Sequence, residues 1–201
     1  MTKLWTTEEI NEYETLFKTS QAFIGQKIEK ISFYLDKDDI DFNEQPNQYG
    51  KSLLNAIEIE ISRESYCLGN LFFGQNYDGL NVLFGKTTDF ENVEGKKLAS
   101  YPSEIVGKQI TKTVIYWTKS NWGKYFVPQE IEFRSENSFF ICSAIEVNNG
   151  ELNCTLTDEM LVVENDLTLQ KFQLGQYGIG KNERYVFENL EELIENEKNI
   201  N

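Results

Sequence analysis

The residues best suited to chemistry in this sequence are two pairs of glutamates at alternate positions, Glu58 with Glu60 and Glu130 with Glu132. Two carboxylates about 5–10 Å apart can cleave a glycosidic bond without a histidine. Each pair alternates with apolar residues, which is the period of a half-buried strand, so we expect these glutamates to stand on an exposed sheet face. A carboxylate-dependent enzyme acting on sugars is therefore one hypothesis, and a solvated sheet face is the simpler interpretation.

Other catalytic chemistry finds little support in the sequence. The chain has no histidine, which removes Ser–His and Cys–His nucleophiles and the commonest metal ligand. Cys67, Cys142 and Cys154 have no metal-ligand spacing, and we expect Cys67 and Cys142 to be buried free thiols in a reducing compartment. No phosphate-binding loop is present, since the glycines from Gly175 to Gly180 lack the lysine that such a loop requires. We expect no catalytic residue, no cofactor and no metal site, and thus a protein that is not an enzyme.

Helices are predicted at both ends of the chain. Thr6 followed by Glu9 fits a capping box, and Ile10, Tyr13 and Phe17 then recur at helical spacing. Near the other terminus, the apolar residues of 187–194 are spaced as one face of a helix. These two helices should pack their apolar stripes on a sheet.

Between the helices the sequence reads as strands in an order that occurs twice. Phe23–Lys30 aligns with Ile105–Lys112, and Glu58–Ile61 aligns with Glu130–Phe133. An apolar strand-like run containing Cys67 or Cys142 follows in each half. An internal repeat takes priority in predicting a fold. We therefore expect two equivalent meanders that close much of each other's exposed edges.

The resulting fold prediction is α+β and β-rich. Two tandem antiparallel strand–loop–strand repeats form packed sheets or a partly open barrel, with flanking N- and C-terminal helices. We expect residues 1–95 to hold the first helix and the first repeat, and residues 96–201 the second repeat and the closing helix, joined in one compact unit. The polar segment 87–103 is the predicted junction.

Charge limits the partners of the protein. The formal net charge is -14 at pH 7, which repels nucleic acid phosphates and anionic lipid head groups and favours basic partners. We expect no direct binding to nucleic acid. No apolar segment reaches the roughly 20 residues of a membrane span, and the N-terminus has no signal-peptide pattern, so we expect a cytoplasmic protein without membrane contact.

Two long loops are the predicted partner-binding elements. The first, residues 35–55, is rich in acidic side chains, and the second, residues 118–128, carries aromatic ones. Acidic groups pair with lysine or arginine on a partner, and exposed tryptophan and tyrosine are effective anchors. An equally weighted alternative is that the acidic loop is merely solvated. The predicted contact residues are Asp36, Asp38, Asp39, Asp41, Glu44, Trp122 and Tyr125.

The chain resembles the immunity proteins of bacterial polymorphic toxin systems. The resemblance rests on the Gly-x-x-Ile-x-Lys openings at Gly25 and Gly107, the Glu-Ile-Glu strands, the Asn149-Gly150 turn and the closing helix. It implies a small acidic protein that binds and blocks a cognate toxin domain. Besides the sugar-acting enzyme, a further alternative is an inhibitor that mimics DNA, which would carry carboxylates spaced like phosphates.

Overall fold

A computed structural model defines the fold of the 201-residue chain. The structure describes residues 6–35, 51–54, 56–71, 81–86, 97–119, 125–143, 146–148, 151–153, 159–166 and 184–200. Neither helix within these ranges has the length and apolar character needed to cross a membrane.

The described residues form an α+β fold with two helices and twelve strands. Helix α1 spans Thr7–Ala22 and helix α2 spans Leu190–Lys198, at the two positions predicted from apolar spacing. The strands are β1 (Ile28–Leu35), β2 (Lys51–Leu54), β3 (Ala56–Ile61), β4 (Glu64–Leu71), β5 (Asn81–Lys86), β6 (Lys97–Ser100), β7 (Lys112–Lys119), β8 (Phe126–Arg134), β9 (Phe139–Ser143), β10 (Glu146–Asn148), β11 (Glu151–Asn153) and β12 (Glu159–Val163).

The strands form two antiparallel sheets that are not closed into a barrel, together with a small β10–β11 ribbon. The first sheet has the order β5-β4-β3-β1-β6, and the second has the order β2-β12-β9-β8-β7. Within each sheet, four strands follow the same sequential meander, β1-β3-β4-β5 in one and β7-β8-β9-β12 in the other. The fifth strand of each sheet is the exception to this common pattern.

The fifth strands cross between the predicted halves. Strand β2 comes from the first half of the chain but pairs with β12 in the second sheet. Strand β6 lies at 97–100, beyond the predicted boundary at 95, yet it pairs with β1 in the first sheet. Two sequence predictions are corrected by these strands, because β2 lies within the loop predicted for 35–55 and β6 lies within the predicted junction. Both are only four residues long, too short to give a clear period in the sequence.

One hydrophobic core unites the helices and the sheets. Buried residues of α1, α2 and both sheets belong to a single cluster. The fully buried Trp117 contacts two rings of α1, edge-to-face with Tyr13 and stacked with Phe17, at ring-centroid distances of 5.1 and 5.6 Å. Phe187, which precedes α2, lies 6.0 Å away. Such aromatic pairs add about 0.5–1.5 kcal/mol each beyond their burial.

The two Gly-x-x-Ile segments meet each other in the structure. The Gly25 N–H donates to the Ile110 carbonyl at 2.8 Å, and the Gly107 N–H donates to the Ile28 carbonyl at 2.7 Å. Positions aligned in the sequence thus exchange hydrogen bonds reciprocally. Both glycines have positive φ, 87° and 82°, a conformation that residues with a Cβ rarely adopt.

Candidate functional site

Most of the predicted contact residues lie outside the described part of the chain. This holds for Asp36, Asp38, Asp39, Asp41, Glu44 and Trp122. Tyr125 is described, half-buried, immediately before β8. The described residues on either side of the acidic segment 36–50 belong to different sheets, since Leu35 ends β1 in the first sheet and Lys51 begins β2 in the second.

The expectation that the four repeated glutamates stand on an exposed face is wrong for the second pair. Glu130 and Glu132 are both 0 % exposed, whereas Glu58 and Glu60 are half-buried. Strand alternation correctly sets these side chains apart from the core isoleucines. The error is that both faces of the second sheet are covered, because nearly every residue of β7 and β8 is buried.

Glu132 is bound through both of its carboxylate oxygens. Oε2 accepts a hydrogen bond of 2.5 Å from the Tyr116 hydroxyl on the neighbouring strand β7. Oε1 accepts one of 2.5 Å from Nε of Arg134, two residues further along β8 and on the same face. A buried carboxylate requires such partners, because an unpaired charge in the interior costs several kcal/mol or more.

Glu130 is bound by an arginine from a distant part of the sequence. One terminal nitrogen of the Arg184 guanidinium lies 2.6 Å from Glu130 Oε1, and the two side chains are 5 % and 0 % exposed. Arg184 precedes Tyr185, whose backbone N–H and C=O both bond to Trp117 on the edge strand β7. These two hydrogen bonds hold the backbone at Tyr185 against β7, next to the residue whose side chain contacts Glu130.

The ion-pair face consists of the side chains of Tyr116, Glu130, Glu132, Arg134 and Arg184. Burial and charge alter the acid–base behaviour of its residues. Burial, reinforced by the hydrogen bond to Glu132, raises the pKa of Tyr116 well above its usual value, so its hydroxyl remains a donor. For Arg134, burial alone would lower the pKa, but the hydrogen bond and charge of Glu132 outweigh it and raise the pKa. Both donors to Glu132 thus keep their protons over the physiological pH range.

The ion-pair face is better suited to structure than to carboxylate catalysis. In glycoside hydrolysis one carboxyl must donate a proton and the other must reach the sugar or a water. Glu132 has both oxygens engaged, and Glu130 is engaged by a buried arginine. This arrangement anchors strands β7 and β8 and the chain near residue 184 to one another.

Sequence reasoning missed both arginines of the ion-pair face. Arg134 could have been found, because a residue two positions after Glu132 on a strand lies on the same face. Arg184 had no local signal, as 54 residues separate it from Glu130. The composition gave one indication that the arginines have a special role, because the chain has only three of them, Arg63, Arg134 and Arg184. Two of the three pair with the buried glutamates.

The cysteine prediction is confirmed for the described thiols. Cys67 and Cys142 are free and fully buried. Burial, with a smaller contribution from the charge of Glu58, raises the pKa of Cys67 to about 12. Burial also raises the pKa of Cys142 well above its usual value. Neither thiol is therefore an activated nucleophile, and Cys154 lies outside the described residues.

Within the described ranges, no group of three or more acidic or cysteine side chains is arranged to hold a metal ion. No protein-family model, curated protein or solved structure matches this chain.

Proposed function

We propose that this protein works by binding a basic protein partner, as an immunity-type inhibitor of a cognate toxin domain in the cytoplasm. The proposed contacts are the acidic side chains of segment 36–50, with Trp122 and Tyr125 as anchors. The protein itself carries out no reaction in this proposal; it blocks the partner by occupying its surface.

The observation that carries the proposal is the acidic excess that remains when the buried ion pairs of strand β8 are set aside. The buried glutamates of the second sheet are matched by Arg134 and Arg184, so these pairs contribute almost nothing to the net charge. The formal charge of -14 therefore falls on the remaining side chains. A net charge of this sign attracts basic partners and speeds their association.

The position of the acidic segment supports its role as the contact element. Residues 36–50 include five acidic side chains and one lysine. The residues that flank the segment are paired in the sheets, Leu35 of β1 with Lys97 and Lys51 of β2 with Val162. Binding elements on protein scaffolds are commonly connections of this kind, held by rigid strands.

We also propose that the two meanders arose by tandem duplication. The shared strand order and the reciprocal bonds between Gly25 and Ile110 and between Gly107 and Ile28 support this. The alignment needs one adjustment, however. Ser32 pairs with Glu58, and Val114, which aligns with Ser32, pairs with Glu132. The position equivalent to Glu58 in the second repeat is thus Glu132 rather than Glu130.

Growth rescue tests the proposed function. The product of a neighbouring toxin-like gene would be expressed in a bacterial host with and without the protein, and rescue of growth is expected. A variant with Asp36, Asp38, Asp39 and Asp41 changed to Asn and Glu44 changed to Gln should lose rescue. The matched control neutralises five exposed acids on the described surface: Glu29, Glu104, Glu136, Asp166 and Glu195.

The two variants carry equal charge changes, so a general effect of net charge should affect both alike. Rescue by the control but not by the segment variant supports the proposed contact. Unchanged toxicity in the presence of the wild-type protein, together with no binding to the purified toxin domain, would refute the proposed function. A partner that is bound equally well by both variants would refute the role of segment 36–50.

A further inference from the structure

A cavity of about 740 Å³ lies beside the ion-pair face, along the outer edge of strand β7. Its walls come from the last turns of α1, from residues 112–116 of β7, from Arg134 of β8, and from Arg184 with residues 186–188. This volume is within the range of about 300–1,000 Å³ that small-molecule sites occupy.

The cavity lies at an edge where the two sheets differ in strand pairing. In the first sheet, strand β1 occupies the position that β7 occupies in the second, and its outer edge is paired with β6 from Ser32 to Leu35. In the second sheet, the described chain pairs with the outer edge of β7 at a single bridge, Trp117 with Tyr185. Residues 186–188 then lie on the wall of the cavity without pairing to β7.

The walls of this cavity carry an unusual share of the cationic side chains of an acidic protein. Lys112, Arg134 and Arg184 all line it, and Glu188 is the acidic residue among its described walls. Lys112 is exposed and the Arg134 side chain is 39 % exposed, so both are accessible from the cavity. Glu130 contacts one terminal nitrogen of Arg184, and Glu132 contacts Nε of Arg134.

Arg184 has hydrogen-bonding capacity that the described protein does not use. Its side chain is 5 % exposed, and one terminal nitrogen bonds to Glu130. Its Nε and its other terminal nitrogen, Nη1, are buried and have no acceptor among the described residues. Buried donors without acceptors are rare in folded proteins and cost about 1–3 kcal/mol each.

We propose that this cavity binds a small molecule through an oxyanion group, either a carboxylate or a phosphate. The oxyanion accepts from the unused N–H groups of Arg184 after a small rotation of the guanidinium toward the cavity, and Lys112 and Arg134 complete its contacts. Guanidinium groups suit this role because their N–H donors match the spacing of carboxylate and phosphate oxygens. None of the described walls of the cavity belongs to segment 36–50, and the proposal does not depend on the proposed toxin partner.

The three arginines allow a direct test by NMR, because ¹⁵N-labelled protein should give only three Nε–Hε signals. Sodium glutarate and inorganic phosphate are titrated separately at constant ionic strength, which distinguishes a carboxylate site from a phosphate site. We expect the Arg184 and Arg134 signals to move and saturate with at least one probe. The signal of Arg63, an exposed residue in the turn between β3 and β4, serves as the internal reference and should stay in place.

A charge-reversing variant completes the test. Because Lys112 is exposed, the substitution Lys112→Glu should leave the fold intact. It should weaken binding of the oxyanion about tenfold or more, because a charge-assisted contact is lost. Lys27→Glu, also exposed but absent from the described cavity walls, is the matched control and should bind like the wild type. Unsaturated shifts with both probes, or equal affinity in the two variants, would overturn the proposal.

Discussion

Breaking the Arg184–Glu130 ion pair from one side should destabilise the protein far more than breaking an exposed ion pair of nearly the same N–O distance. The substitution Glu130→Gln keeps the shape of the side chain and removes its charge. Arg184 is then left as a buried cation, since its side chain is only 5 % exposed. Removing one partner of a buried ion pair costs about 3–5 kcal/mol, chiefly because the remaining charge has lost its counter-charge.

The structure supplies a matched comparison on helix α1. Glu14 and Lys18 form an ion pair of 2.7 Å, nearly the same distance as the 2.6 Å of Arg184–Glu130, but the two side chains are 48 % and 71 % exposed. Water screens such a pair, so Glu14→Gln should cost about 0.3–0.5 kcal/mol. Burial is then the principal difference between the two substitutions.

Urea unfolding followed by circular dichroism measures both costs. With a slope of about 2–3 kcal/mol per molar urea, Glu130→Gln should lower the midpoint by about 1–2 M, and Glu14→Gln by about 0.2 M. The double variant Glu130→Gln with Arg184→Met removes both charges and should recover much of the loss, because a buried pair contributes little compared with apolar side chains of similar volume.

Two results would refute this reasoning. One is a midpoint for Glu130→Gln that falls no further than that of Glu14→Gln, which would mean that Arg184 finds water or another partner. The other is a double variant as unstable as the single one. In that case the loss would come from packing around residue 130 and not from an uncompensated charge.

Three further predictions concern two glycines with positive φ, the N-cap of helix α2 and the buried cysteines. Gly25→Ala and Gly107→Ala should each cost about 1–2 kcal/mol in thermal or urea unfolding, because both φ values are positive while an added Cβ meets no atom within 4 Å; clearly unequal costs would count against the equivalence of the two segments. Asn189→Ala should cost about 1 kcal/mol, because its side chain accepts the Glu192 N–H at 2.9 Å at the start of α2; an unchanged midpoint would contradict this capping role. In a Cys154→Ser variant, Cys67 and Cys142 should resist iodoacetamide at pH 8 and react only on unfolding, as followed by mass spectrometry. Since folding raises the pKa of Cys67 from 9.0 to about 12, its contribution to stability is complete below pH 9 and declines as the pH rises toward 12; rapid labelling of the native protein would contradict its burial.

The features that could be predicted from the sequence are those governed by local periodicity. Apolar spacing located both helices, and strict alternation identified strand β3, whose Ile57, Ile59 and Ile61 are all buried. Residues three or four apart on a helix, or two apart on a strand, share a face whatever the rest of the chain does. Predictions of this type need no knowledge of distant contacts.

The short crossing strands could not be predicted in the same way. Lys51–Leu54 and Lys97–Ser100 become strands because β12 and β1 offer them edges, and both partners are distant in sequence. Four residues give at most two side chains on each face. Their pairing is therefore a tertiary effect, and the sequence of each segment alone resembles a polar connection.

The two Glu-x-Glu strands show most clearly where periodicity stops being informative. Alternation states that the glutamates face away from the core isoleucines, and it is correct for both strands. It cannot state whether that second face meets water or protein. In the first sheet Glu58 and Glu60 are half-buried, whereas in the second the same pattern lies fully buried. Burial there is possible because Arg134 and Arg184 supply the charges that carboxylates need in the interior. In a chain with only three arginines, the position of these cations is a better guide to the buried face than the repeated glutamates themselves.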